Sequence, residues 1–202
     1  MPRRSKQVIH ATIQDAAIVL FKTKSYNEIS MIEIAEKADI SKGTLYKYFP
    51  SKIALFASIF EYYLRMFLDD ELTGTYEDLS YAQTSKEMLM RLCDFTEQNE
   101  GFMRLFWMLN SESTHGEIPA ELLTHINYWN TQILDKFTEM LRTKDATGLY
   151  KQLQPELITH VFSAINKGIY LQATKEEGLG IDNLNRQDLV EAFCNILIYC
   201  GE

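Results

Sequence analysis

The sequence predicts an all-α protein of about nine helices. Three observations carry that prediction. The apolar residues repeat at helical spacing along nearly the whole chain. Ser residues stand at helix-start positions where the N-terminal third breaks. No stretch alternates in the manner of a strand, and no internal repeat or low-complexity tract interrupts the pattern.

The first element is expected at roughly residues 6–23, where Ile9, Ile13, Ala16, Ala17, Leu20 and Phe21 form one apolar stripe. The second, 31–37, follows Ser30 and carries Glu33 three residues on, the spacing of a capping box in which Glu33 reaches back to the Ser30 amide. The third, 42–48, follows Ser41, and the fourth, 52–70, follows Pro50 and Ser51. A loop is expected over Leu72–Asp78, then helices at about 84–99, 102–110, 119–142, 155–175 and 186–200. Breaks lie at Ser111–Glu117, Thr143–Gly148 and Gly178–Asn185, with Pro119 and Pro155 suited to first helical turns and Asn185 to an N-cap.

The chain has 202 residues, 20 Lys plus Arg against 28 Asp plus Glu, and a formal net charge of −8. Taken whole, that balance argues against a nucleic-acid partner, because affinity for DNA rests largely on neutralised phosphates. The charge is unevenly placed. Residues 1–52 hold nine bases and five acids, a balance of +4, and the other 150 residues hold eleven bases and 23 acids, −12. A domain boundary after Lys52 follows, with 1–52 as a basic head and 53–202 as an acidic helical body.

Composition excludes several classes. His10, Thr12, Gln14 and Asp15 interrupt any secretory apolar core behind Arg3, Arg4 and Lys6. No uncharged apolar run approaches the ~18 residues of a membrane span. Cys93, Cys194 and Cys200 are odd in number and far apart, so they read as small core residues in a reduced, cytoplasmic compartment. The four His residues show no metal-ligand spacing. Gly178-Leu179-Gly180 lacks a preceding strand and a third Gly, and no nucleophile or phosphate-cradling motif is present. Neither an enzyme nor a cofactor or metal site is expected.

The chemistry concentrates in the basic head. Two short helices joined by Ala38-Asp39-Ile40-Ser41, behind a longer helix, make a helix-turn-helix candidate. On the second short helix, Leu45 and Phe49 are expected to pack inward on Ile32, Ala35 and Ile13. Lys42, Thr44, Tyr46 and Lys47 then face outward or flank the exposed side. Lys and Tyr suit phosphate contacts, and Thr44 suits a base edge. Gly43 is poor for a helix but lets the backbone approach DNA closely.

The run Ile29–Lys52, with its core Gly43-Thr44-Leu45-Tyr46-Lys47-Tyr48-Phe49-Pro50-Ser51-Lys52, resembles the DNA-binding domain of the TetR family of bacterial transcriptional regulators. Ala16-Ala17, Leu20-Phe21 and Tyr26 look like that family's first helix and its exit, so the resemblance covers roughly residues 8–60, about a quarter of the chain. It departs at Asp39, where members usually carry Gly; Asp accepts a left-handed backbone at a small cost.

The resemblance implies a three-helix DNA-binding head followed by a helical ligand-binding and dimerisation domain. Lys42, Gly43, Thr44, Tyr46 and Lys47 would lie in or beside the major groove. Tyr48 and Lys52 would contact phosphate, with Ser30, Ser41 and Ser51 at helix N-termini. It implies a homodimer on a near-palindromic operator in double-stranded DNA. The dimer contact would fall on the last two helices, at Ile158, Phe162, Ile165, Ile169, Leu189, Phe193, Ile196 and Leu197. It also implies a pocket for a small-molecule effector, apolar or amphipathic in character. Tyr63, Met66, Phe67, Met103, Phe106, Trp107, Tyr128 and Trp129 are the aromatic and Met side chains suited to line it. The expected function is a ligand-responsive repressor released from its operator by that effector. The alternative is a DNA-binding regulator whose helical domain recruits another protein and takes no small molecule; an exposed apolar patch would favour it.

Overall fold

A computed structural model describes residues 5–72, 76, 78–111, 114 and 116–142, together with positions 157, 160, 161, 163–165, 167, 168, 188–192 and 195. Every regular element among them is helical: α1 Lys6–Phe21, α2 Met31–Lys37, α3 Lys42–Tyr48, α4 Lys52–Met66, α5 Tyr81–Gln98, α6 Glu100–Leu109 and α7 Ala120–Arg142. The expected all-α class holds. The single described positions within 155–175 and 186–200 are helical as well. Pro155 and Asn185 lie outside the described residues.

The chain divides into two compact units. One comprises Met1–Leu64 and Glu100–Tyr128, the other Arg65–Asn99 and Trp129–Glu202. The expected functional boundary after Lys52 therefore falls inside the first packing unit.

That unit is built around α4. Ile53, Ala54, Leu55, Phe56, Ala57, Ile59, Phe60, Tyr63 and Leu64 are all buried, which is the pattern of a central helix covered on most sides. α1 lies against it through Ile13, Ala16, Ala17 and Phe21. The Gln14 side-chain amide donates to both the backbone carbonyl and the hydroxyl of Ser58. Phe56 meets Phe21 and Tyr26 edge-on at 5.1 and 5.2 Å. From α6, Phe102 stacks on Phe60 at 5.2 Å, with Met103 and Leu105 buried beside it.

In the second unit, Phe67 contacts Phe95 at 4.9 Å and Phe137 at 6.1 Å. Leu89, Cys93 and Val190 form a buried cluster flanked by Met90, Ile165 and Leu189. Cys93 is buried, as a small core residue should be; Cys194 and Cys200 lie outside the described residues.

Several boundaries differ from the sequence reading: α1 ends at Phe21 where 23 is expected, and α6 spans Glu100–Leu109 where 102–110 is expected. α4 ends at Met66, and Phe67–Glu71 continues as a π-helical turn. α5 starts at Tyr81, because the Ser80 hydroxyl accepts from the Gln83 amide while the Gln83 side chain accepts from the Ser80 amide. That reciprocal pair is a capping box written in the sequence as Ser-x-x-Gln. α7 begins one residue after Pro119, whose carbonyl accepts from Leu123.

Candidate nucleic-acid interface

The helix-turn-helix is shaped first by its caps. The Ser30 hydroxyl accepts from the Glu33 amide at 3.1 Å, starting α2. The Glu33 carboxylate meets the Ser30 amide only weakly, and its main partner lies elsewhere. It takes a 2.5 Å bond from Lys24 Nζ, a charged donor. That bond, opposed by desolvation and helped slightly by the Ser30 amide, holds Glu33 below the usual carboxylate range.

α2 ends in a Schellman motif. The Asp39 amide donates to Glu36 O at 3.1 Å and the Ile40 amide to Ala35 O at 3.0 Å. This closure requires a left-handed residue in between, and Asp39 has φ 54°. It is the position where the resemblance leads one to expect Gly. Ser41 then caps α3, accepting from the Thr44 amide at 3.1 Å with its hydroxyl 2.8 Å from the Thr44 hydroxyl.

The inward face of this motif corrects one expectation. Leu45 and Phe49 are buried with Ile13 and Ala35, but Ile32 is 50% exposed. Met31, Ile34, Ala35 and Ala38 make the buried stripe of α2, and Ile32 lies about 100° round the helix from Met31. Opposite the buried face of α3, Lys42, Gly43, Tyr46 and Lys47 are exposed, with Thr44 and Tyr48 half-buried. Tyr46 keeps 42% of its surface exposed, and Lys42 Nζ lies 5.8 Å from its ring centroid. A Cβ placed on Gly43 meets only the Ser41 hydroxyl, at 3.9 Å. Ser30 and Ser41 are exposed at their helix starts. Ser51 is half-buried, its hydroxyl accepting from the Ala54 amide at 3.2 Å.

Lys52 is placed otherwise than a phosphate contact would be. Its ammonium donates to the carbonyls of Tyr26 at 2.7 Å and Ile29 at 2.9 Å and sits 4.2 Å from the Tyr26 ring centroid. Desolvation lowers its pKa. The charge is directed into the α1–α2 loop, so the expected outward role is not the one its contacts describe. Tyr26, signalled by its place after the first helix, is the aromatic under that charge. Sequence reasoning missed a second cation on the same loop. Arg104 of α6 donates to Phe21 O at 2.6 Å and Lys24 O at 3.1 Å.

The eight residues proposed for an effector site take different places. In the first unit Tyr63 and Met103 are buried, Phe106 is half-buried, and Trp107 and Tyr128 are exposed by 39% and 54%. Burial raises the Tyr63 pKa. In the second unit Phe67 is buried while Met66 and Trp129 are half-buried, with the Arg65 guanidinium 5.3 Å from the Trp129 ring. Of the proposed dimer residues, Ile165 and Leu189 pack partly on the Leu89–Cys93–Val190 cluster. Ile158, Phe162, Ile169, Phe193, Ile196 and Leu197 lie outside the described residues. Among the described residues no helix is long and apolar enough to cross a membrane, and no group of three or more His, Cys, Asp or Glu is arranged to hold a metal ion.

Comparison with known proteins agrees with this geometry. Residues 13–59 match the family model described as bacterial regulatory proteins, tetR family. An HTH-type transcriptional regulator of Bacillus subtilis strain 168, YuxN, is 51% identical over 51 residues, 25% of this chain and 18% of its own. The HTH-type transcriptional repressor KstR of Rhodococcus jostii RHA1 is 46% identical over 46 residues, 23% of this chain and 22% of its own. The matched segment thus spans only about a fifth of either relative. The fold likeness is longer: AibR, in complex with isovaleryl coenzyme A and operator DNA, superposes with a TM-score of 0.67 at 18% identity, over 93% of this chain and 97% of AibR. The head, residues 13–59, is thus matched in sequence to the tetR family of bacterial regulatory proteins, and the chain as a whole is similar in fold to AibR.

Proposed function

We propose that this protein is a cytoplasmic transcriptional repressor that binds a near-palindromic operator as a homodimer and is released by an apolar or amphipathic small molecule. The observation that carries the reading is the outward face of α3, where Lys42, Gly43, Tyr46 and Lys47 are exposed on a capped, Schellman-terminated helix-turn-helix. Lys42, Tyr46 and Lys47 supply phosphate contacts in or beside the major groove, and Thr44 reaches a base edge. Ser30, Ser41 and Tyr48 add phosphate contacts at the margins. Two recognition helices related by a two-fold axis would read two half-sites. Support for an effector comes from AibR, whose complex holds both isovaleryl coenzyme A and operator DNA, and for repression from KstR. An effector acts by binding the DNA-released conformation more tightly than the DNA-bound one.

The test is the salt dependence of binding. Replacing Lys42 and Lys47 with Ala removes two contacts per protomer, each worth about 0.9 in the log–log salt slope. A dimer should therefore lose roughly four in slope and a monomer roughly two. The probe is a duplex enriched by the wild-type protein from a random library. An unchanged slope would remove α3 from the interface.

A further inference from the structure

Nine residues link α1 to α2, and that loop is gripped from two sides. Lys52, at the start of α4, holds the carbonyls of Tyr26 and Ile29. Arg104, 83 residues beyond Phe21, holds the other end of the loop from α6. Its Nη1 donates to Phe21 O at 2.6 Å and its Nη2 to Lys24 O at 3.1 Å. The same guanidinium lies 4.4 Å from the Phe21 ring centroid. The last carbonyls of a helix have no partner within it, and a planar guanidinium can satisfy two acceptors while stacking on an aromatic ring. Lys24 carries the connection onward, because its own Nζ pairs with Glu33 in the first turn of α2. From α6 the path thus runs through the end of α1 to α2, and from α2 through the Asp39 turn to α3.

We infer that Arg104 is a positioning residue for DNA recognition, fixing the α1–α2 loop so that α2 and α3 present their outer face in one orientation. The inference rests on the DNA-binding reading above. Arg104 does not touch DNA in this role; it makes the affinity of α3 depend on the seat of α6 against the end of α1. Lys retains the charge but lacks the fork that spans both carbonyls.

The experiment compares wild type, Arg104→Ala and Arg104→Lys on a fluorescein-labelled duplex enriched by the wild type from a random library. A scrambled duplex runs alongside, and the active fraction of each protein is fixed by stoichiometric titration. Arg104→Ala should weaken binding per active molecule by ~10-fold, or ~1.4 kcal/mol. Its salt slope should match that of the wild type, and Arg104→Lys should recover part of the loss. Should Arg104→Ala not fold, Arg104→Lys carries the test, with weaker binding at an unchanged slope expected. Affinity per active molecule equal to the wild type overturns the inference, even where the melting temperature falls, since that outcome marks a purely structural residue. A slope reduced by about 0.9 per protomer also overturns it, because Arg104 would then be a phosphate contact itself. If the wild type enriches no duplex, the DNA-binding reading fails and the inference falls with it.

Discussion

Replacing Gly43 with Ala should move stability and DNA affinity in opposite directions. Gly43 lies in the first turn of α3 and is exposed. A Cβ there meets only the Ser41 hydroxyl, at 3.9 Å, which is ordinary contact. The folded protein has no steric need for Gly at this site. Ala should stabilise α3 by about 0.5–1 kcal/mol through helix propensity and the reduced freedom of the unfolded chain. For a chain of this size, that raises the melting temperature by about 1–4 °C. The same methyl projects from the outer face between Lys42 and Thr44. If the α3 backbone sits close against DNA, the helix must back away and its neighbours lose their contacts. A loss of ~10-fold on an enriched duplex corresponds to ~1.4 kcal/mol, with a smaller loss on scrambled DNA. Thermal melting and fluorescence anisotropy read the two quantities on one preparation. Lower stability would show that Gly43 serves the fold, and higher stability with undiminished affinity would show that nothing approaches the helix there.

Lys52→Met keeps most of the aliphatic stem and removes two charged hydrogen bonds, offset in part by relief of a desolvated ammonium. A net loss of about 2 kcal/mol lowers the melting temperature by about 4–8 °C, with a salt slope for DNA equal to the wild type. Asp39→Ala places an ordinary L-residue at φ 54°; it should cost about 1 kcal/mol, with Asp39→Gly at least as stable as the wild type in urea titrations. The His10 ring lies 4.7 Å from that of Phe49, tilted by 45°, and desolvation lowers its pKa below 6.5 despite Gln14 and Glu61 raising it. The unfolded chain therefore binds a proton before the folded one does, and the stability present above about pH 6.5 declines as pH falls through the folded pKa. His10→Leu should remove that part of the acid sensitivity in a series of melts.

What could be read beforehand followed the range of the interactions. Ser30, Ser41 and Ser80 bond to amides three residues away, so caps are local statements that a sequence carries openly. Ser80 with Gln83 was as legible as the others, and the expected start of α5 at 84 overlooked it. The burial of Leu45 and Phe49 likewise follows from spacing along one helix. Ile32 was misplaced because two apolar neighbours, Met31 and Ile32, offer α2 alternative stripes, and packing against α1 and α3 decides between them. Lys52 and Arg104 lay beyond sequence reasoning for a different reason. Their acceptors are backbone carbonyls 23 to 83 residues away, and a carbonyl has no residue type to announce it. Charge without its partner reads as exposed charge, and the resemblance, which implies a phosphate contact for Lys52, carries no sign of the carbonyls that hold it.

That distinction changes what the charge of the head means. Residues 1–52 hold nine basic side chains, and nine phosphate contacts per protomer would give a slope near eight at about 0.9 each. The contacts within the fold reduce this count. Lys24 is paired with Glu33 and Lys52 with two carbonyls. Lys6, Lys22, Lys37, Lys42 and Lys47 are exposed, but only Lys42 and Lys47 stand on α3, beside Gly43, Thr44 and Tyr46. On the proposed reading, the basic side chains of the head divide between two separable tasks. Lys24 and Lys52, with Arg104 from outside the segment, fix the loop that orients the motif. Lys42 and Lys47 face outward from it. Under that reading, salt acts on the second group through counterion release. The bonds of Lys52 to two partly buried carbonyls are screened far less, whereas the exposed Lys24–Glu33 pair is itself weakened by salt. With Lys24 and Lys52 engaged within the fold, at most seven of the nine bases remain for phosphate, so the slope per protomer should not exceed about six, against the roughly eight that composition alone suggests.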